Sequence, residues 1–463
     1  MKECGMTFTR FNPAFNLFLI LTALLLTLTG ACSTVRRARL AQNEARAPAG
    51  ERTVRAAEIG LEGPVILTLD RTLEIVRTVH PTVIQAGINR AIASNQLTQA
   101  KAAQKPSVSA GAGYRRATAN SAGTPETHDS QDSFSASLDV QWLLYDFGKT
   151  PAAIRQVRAR QILADAQYRT AVNSAVLNVR SAFFERRKSE ELLRVAEEAV
   201  RQADIYLNQV RAFAEVGRRT RYDVTQAEVT LGNNRLTEVD ARQALRLAGA
   251  TLNRALGLNE ETTFQLGPTP DALFPEEAII NPPAPLPQHP ELMALRAQEN
   301  IASNAVDEAI ANLYPSLGLS ASQGWSGRTF PLVWNWSAAL QSSLSLFDGG
   351  AKRARIDEAA NQLRIARTQK ADRQQQLGLD LRRALSRRDS AQSKLDLYVL
   401  ILRQARESLD LIQERYRQGR ATSLEVTDAQ LLHIRAAGDQ VTARYDYLIA
   451  LAEIQQTLGK DPP

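Results

Sequence analysis

Two cysteines and four histidines are the whole stock of soft metal ligands and imidazole bases in this chain. Cys4 and Cys32 both lie near the amino terminus, so no disulfide framework supports the rest of the chain. His80 and His289 each precede a proline at the start of a helical pattern, His128 falls in a polar stretch and His433 in mid-helix. No histidine cluster therefore marks a metal centre or a catalytic base. The phosphate-cradling pattern G-x-x-x-x-G-K is missing too. These absences argue against an enzyme, a cofactor and a bound metal. Basic runs interleaved with aromatics are also lacking, which argues against a nucleic-acid partner. After Thr29 no apolar run is long enough for a membrane-spanning helix, so any bilayer crossing has to be made by strands.

What is present begins with an export signal. Lys2 and Arg10 precede an uncharged, leucine-rich run from Phe15 to Thr29, too short for a comfortable span and ending in small residues. Leu28-Thr29-Gly30-Ala31-Cys32 resembles the lipobox of bacterial lipoproteins, in which the cysteine is acylated and becomes the first mature residue. Ser33 after it, by the rule for such lipoproteins, permits passage to the outer membrane. The alternative is an ordinary signal peptidase site with an incidental cysteine. Residues 1–31 are thus expected to be removed, and residues 32–68 to form a basic leader, with six Arg against two Glu between Arg36 and Arg55. Net charge +7 with 44% apolar and 23% charged residues is ordinary for a folded protein of this size.

The rest is a duplication. Gly217 to Val229 reads GRRTRYDVTQAEV and Gly419 to Leu431 reads GRATSLEVTDAQL. His80-Pro81 is answered by His289-Pro290, Lys105-Pro106-Ser107 by Tyr314-Pro315-Ser316, and Leu144-Tyr145-Asp146-Phe147-Gly148 by Leu346-Phe347-Asp348-Gly349-Gly350. We read residues 69–258 and 289–463 as two repeats, joined by a proline-rich segment at 259–288 that lies outside the regular architecture. Each repeat runs helix, strand, loop, strand, very long helix, tip, helix.

The strands are expected at about 107–115 and 132–145, and at about 315–323 and 332–347. Phe134, Ala136, Leu138, Val140 and Trp142 alternate with Ser133, Ser135, Ser137, Asp139 and Gln141, and Trp334, Trp336, Ala338 and Leu340 alternate with Asn335, Ser337 and Gln341. Such strands fit an outer-membrane barrel with a wet lumen, or one half-buried hairpin of a soluble domain. Loops are expected at Arg115 to Asp132 and at Gly324 to Pro331. Helices are expected from Arg71 to Gln104, Pro151 to Val216, Tyr222 to Leu256 and Ala351 to Gln418. From Leu377 to Tyr416 the apolar positions step by four and three in a coiled-coil seam.

At the tips, 217–224 and 419–426, Gly217 and Gly419 end one helix and Thr220 and Thr422 cap the next. Asp223 and Glu425 stand three residues after those threonines, at the capping-box spacing.

Taken together, the duplication, the Pro-Ser strand starts, the Tyr-Asp-Phe-Gly and Phe-Asp-Gly-Gly strand ends and the G-x(5)-[DE]-V tips resemble the TolC family of outer-membrane efflux proteins, from about Leu69 to Gly459. The resemblance implies a mainly α fold with membrane β: a homotrimer whose four amphipathic strands per chain close one twelve-stranded β-barrel, continued by a periplasmic α-helical barrel. It implies an exit duct for a tripartite efflux or type I secretion system, located in the outer membrane and lipid-anchored at Cys32. Its partners would be outer-membrane lipids, a periplasmic adaptor and an inner-membrane pump, the adaptor docking at Gly217, Thr220, Gly419 and Thr422. It also implies that Glu425, Asp428 and Asp223 ring the periplasmic aperture and that Tyr416 joins the closing network, while the residues alone allow the acids to be helix caps. Where some members carry an arginine after the tip glycine this chain has Ala421, so a latch would use Arg218, Arg219, Arg221 or Arg420. A coiled-coil adaptor or tethering lipoprotein is the competing reading.

Overall fold

In the computed structural model the described residues are 66–118, 130–258, 265–267 and 289–459, with residues 36, 38, 39 and 42. The signal segment, Cys32 and the loop containing His128 lie outside them. The elements are β1 (Ile66–Leu67), α1 (Leu69–Val79), α2 (Pro81–Ala102), β2 (Ser107–Ala117), β3 (Gln131–Tyr145), α3 (Lys149–Glu215), α4 (Arg221–Leu256), β4 (Gln265–Leu266), α5 (Pro290–Ala311), β5 (Ser316–Gly327), β6 (Val333–Ser343), α6 (Ala351–Arg417) and α7 (Ser423–Thr457). Among the described residues no helix is long and apolar enough to cross a membrane.

Four expectations need correction. The helix expected from Arg71 to Gln104 is two, because Pro81 holds His80 in an extended conformation at φ −63° and ψ 126°. The ring nitrogen Nδ1 of His80 then accepts from the Thr82 amide and starts α2. The loop expected at Gly324 to Pro331 is shorter, since β5 continues to Gly327, while β6 stops at Ser343. Similarly, β2 and β3 take Arg116, Ala117 and Gln131 from the expected polar loop. The proline-rich segment also contributes β4, whose two residues pair in parallel with β1.

The four long strands form one antiparallel sheet in the order β2, β3, β5, β6. Its register puts Val108 opposite Val140, Val140 opposite Ala321 and Ala321 opposite Ala338, so one face is apolar across all four strands. The other carries Ser109, Asp139, Ser322 and Ser337 in a row, with Asp139 accepting from the Ser137 and Ser322 hydroxyls at 2.9 and 2.7 Å. Aromatic clusters bound the apolar face. Tyr114, Phe134 and Phe330 pack together at one end, and Tyr145, Phe147 and Tyr314 at the other. The stretch from Phe134 to Tyr145 spans about 28 Å once tilted by about 40°, close to an outer-membrane apolar band.

α3 and α6 are each 67 residues, about 100 Å long. Next to the sheet the helices lie in the order α2, α3, α5, α6, and towards the tips in the order α4, α3, α7, α6, so two short helices match one long one. All twelve seam residues on α6 from Leu377 to Tyr416 are buried or half-buried, as the four-three spacing requires. At the waist α1 covers α3 and α4, and Val76, Val179, Phe183, Phe184, Leu252 and Tyr445 fill the core between them. The duplication persists in its packing here. Gly257 at φ 81° and Gly459 at φ 62° end α4 and α7 against Pro81 and Pro290, where an added Cβ would meet each proline Cδ at 2.9 Å.

Candidate functional site

Each hairpin tip is built by the same local chemistry. A helix ends at a glycine with positive φ, 73° at Gly217 and 74° at Gly419, a conformation only glycine adopts freely. An extended threonine follows and caps the returning helix. The Thr220 hydroxyl accepts from the Asp223 amide at 3.3 Å while the Asp223 carboxylate accepts from the Thr220 amide at 3.0 Å. Thr422 and Glu425 repeat this box at 3.3 and 3.2 Å.

Beyond the box the two acids part. Asp223 is half-buried and faces the other hairpin. Burial alone would raise its pKa, but hydrogen bonds from the backbone and side chain of Thr220 and from the Ser423 hydroxyl, with the Arg219 charge, hold it below the usual carboxylate range. Glu425 stays exposed and, among the described residues, makes no contact but the cap. Asp428, one turn on, is exposed and forms no hydrogen bond or ion pair among the described residues. With Leu432 the two acids form one face of α7, and Val426, Gln430 and His433 form the opposite, groove-lining face.

Tyr416 lies between the hairpins. It is 2% exposed, its ring 5.7 Å from that of Tyr206 and 6.2 Å from that of Phe213, with the Arg219 guanidinium 4.2 Å above its centroid. Arg219 also donates to the Ala421 carbonyl at 3.2 Å, and the Tyr206 hydroxyl donates to Ser423 Oγ at 3.2 Å. Burial, then the charge and hydrogen bonding of the neighbouring Tyr206 hydroxyl, push the Tyr416 phenol far above its ordinary range, while among the described residues its buried hydroxyl has no partner in good hydrogen-bond geometry. Of the four arginines considered for a latch, Arg219 joins the hairpins through Tyr416 and Ala421, and Arg218 lies over Phe213 at 5.7 Å. None of the four forms an ion pair with Glu425 or Asp428 within the chain, among the described residues.

The structure thus brings Asp223 and Tyr416 into one inter-hairpin junction, with Thr220 joined to it through Asp223, and leaves Thr422, Glu425 and Asp428 outside it. Tyr206 and Ser423 complete that junction and were not singled out from sequence. Tyr206 carried a signal, since it falls with Ala203 and Val210 on a buried helical face. Between the hairpins runs a groove of about 390 Å³ lined by Tyr206, Arg406, Tyr416, Gln430 and His433. Burial and Arg406 lower the His433 pKa against the opposing charges of Asp410 and Glu198.

A family model described as outer membrane efflux protein matches residues 73–258 and 283–460. The chain is 24% identical over 343 residues to the alkaline protease secretion protein AprF of Pseudomonas aeruginosa, covering 71% of this chain and 70% of AprF. It is 24% identical over 409 residues to outer membrane protein TolC of Escherichia coli, covering 83% of this chain and 80% of TolC. Its fold matches the crystal structure of the Campylobacter jejuni CmeC outer membrane channel with a TM-score of 0.75 at 17% identity, over 84% of this chain and 85% of that one. The chain therefore belongs to the outer membrane efflux protein family, the TolC-like outer-membrane exit ducts of efflux and type I secretion systems.

Proposed function

We propose that three copies of this chain close a twelve-stranded barrel in the outer membrane and a helical tunnel through the periplasm, with the aperture at the hairpin tips. The observation that carries this reading is the open sheet. β2 and β6 are outer strands of 11 residues each, with no partner on their far sides among the described residues, on a sheet with one face that is mainly apolar across all four strands. Unpaired edges are untenable in lipid, and a closed ring of sheets removes them. The helical layer supports the same closure. Its outer members α4 and α6 expose Tyr222, Val229 and Leu236 at seven-residue spacing, and Leu397, Leu400 and Leu411.

In this trimer Glu425 and Asp428, three of each, line the mouth and favour cations there, while Asp223 and Tyr416 hold the two hairpins of each chain together. A periplasmic adaptor docks around Gly217, Thr220, Gly419 and Thr422, and an inner-membrane pump loads the duct. Cys32 is acylated and anchors the mature amino terminus in the outer membrane. Residues 69–258 and 289–463 act as two pseudo-equivalent wall units. The test is the mass of the detergent-purified protein and its behaviour in a planar bilayer. A particle of three chains giving discrete current steps is the expected outcome. A folded monomer without conductance would overturn the reading.

A further inference from the structure

The junction between sheet and helices carries cations that its local structure does not explain. Lys105 lies between α2 and β2, Lys149 is the first residue of α3, and Lys352 and Arg353 are in the first turn of α6. Neither α3 nor α6 has an acid in its first turn, and cations there oppose the helix dipole. The two nearest acids are already engaged. Asp146 accepts from the Thr150 amide at 2.6 Å, and Asp348 from the Gly350 and Lys352 amides at 3.2 and 3.0 Å. Among the described residues none of the four cations forms an ion pair. Helix capping and salt bridging therefore leave their charge unbalanced.

Their neighbours say what they face. Trp142 is on the apolar face of the sheet, and its indole nitrogen donates at 3.1 Å to the carbonyl of Gln104, the residue before Lys105. Phe147, packed at 4.8 Å against Tyr145 and 5.6 Å against Tyr314, comes two residues before Lys149. The Lys352 ammonium donates to the Ser345 carbonyl at 3.2 Å, next to Leu346 and Phe347, which are 91% and 90% exposed. Lys105, Lys149 and Lys352 thus adjoin aromatic or apolar groups at the helical end of the lipid-facing surface, with Arg353 next to Lys352 in the chain, at the depth where hydrocarbon gives way to headgroups.

We propose that Lys105, Lys149, Lys352 and Arg353 form a basic collar that binds anionic phospholipid headgroups of the periplasmic leaflet. Charge complementarity and continuity with the lipid-facing sheet select this occupant. Each repeat supplies two of the four, at positions that are not equivalent, so a trimer presents twelve cations around its circumference, four from each chain. It fixes how deeply the barrel sits and keeps the helical tunnel perpendicular to the membrane.

This inference rests on the trimeric membrane barrel proposed above, and one experiment separates the two. The full chain is reconstituted in nanodiscs of equal parts phosphatidylglycerol and phosphatidylcholine, then released for native mass spectrometry, which reads chain number and retained lipid together. Wild type is expected to be a trimer retaining phosphatidylglycerol over phosphatidylcholine by about fivefold or more. The variant K105Q/K149Q/K352Q/R353Q should remain a trimer with no preference. A wild-type trimer without preference, or a variant trimer that keeps it, would overturn the collar; absence of any trimer would instead overturn the barrel on which it depends. Single substitutions K149Q and R353Q, each expected to reduce the preference by about half, serve if the fourfold variant does not assemble.

Discussion

The two hairpin tips share a glycine, a capping threonine and an acid three residues on, yet the acids are in different surroundings. Asp223 is turned towards the second hairpin, whose Ser423 stabilises its charge together with Arg219 of its own tip. Glu425 is turned away, and with Asp428 it is exposed on the far face of its helix. One motif therefore serves two ends. In the first tip the capping acid doubles as a strut between hairpins, whereas in the second the cap and a neighbouring acid are exposed and make no contact with the first hairpin among the described residues. A cap contributes helix stability wherever it stands, but only a charge left exposed is available to an aperture.

The largest effect expected within this comparison comes from the residue the strut leans on. Tyr416→Ala empties the junction among Tyr206, Phe213 and Arg219 and should cost about 3–5 kcal/mol of local stability. Hydrogen exchange of the tip amides would read it, and unchanged protection would remove Tyr416 from the junction. Asp223→Ala comes next, losing a cap and an inter-hairpin contact for about 1–2 kcal/mol. Its effect carries a pH signature. The folded pKa of Asp223 is lowered, so its stabilisation is complete above the ordinary carboxylate value of about 4 and is lost as pH falls through the lower folded value. The difference in tip protection between wild type and Asp223→Ala should thus be constant from neutral pH down to about 5 and vanish in stronger acid.

Smaller still is Thr422→Ala, about 1 kcal/mol and local to α7, since its box joins nothing to the first hairpin. An equal loss of protection in α3 would break the distinction between the tips. Smallest is Tyr416→Phe. Its buried hydroxyl has no partner in good hydrogen-bond geometry among the described residues, so removing it should change stability by no more than about 0.5 kcal/mol, in the stabilising direction.

Much of this architecture was legible in the chain because it is periodic. Alternation along Phe134 to Trp142 and the four-three steps from Leu377 to Tyr416 state which side of each element is buried, and the capping boxes state where the hairpins turn. Contacts between the hairpins were not legible. Tyr206 and Ser423 are 217 residues apart, and no local rule pairs them. The helix break at His80 was signalled by Pro81, but an otherwise helical pattern from Arg71 obscured it. The β1 and β4 pair has two residues on each side, too few to show a period. Position also escaped the sequence at the tips: Asp223 and Glu425 differ in surroundings through what lies across the groove, and not through their own neighbours in the chain.

The central claim is that the second tip forms an acidic aperture in a trimeric duct. Single-channel conductance in a planar bilayer, comparing wild type with Glu425→Ala plus Asp428→Ala, tests it most directly. The account predicts small, cation-preferring steps in wild type and larger, less selective steps in the double variant. Steps of unchanged size and selectivity would contradict it, leaving Glu425 a helix cap and placing the constriction elsewhere in the tunnel.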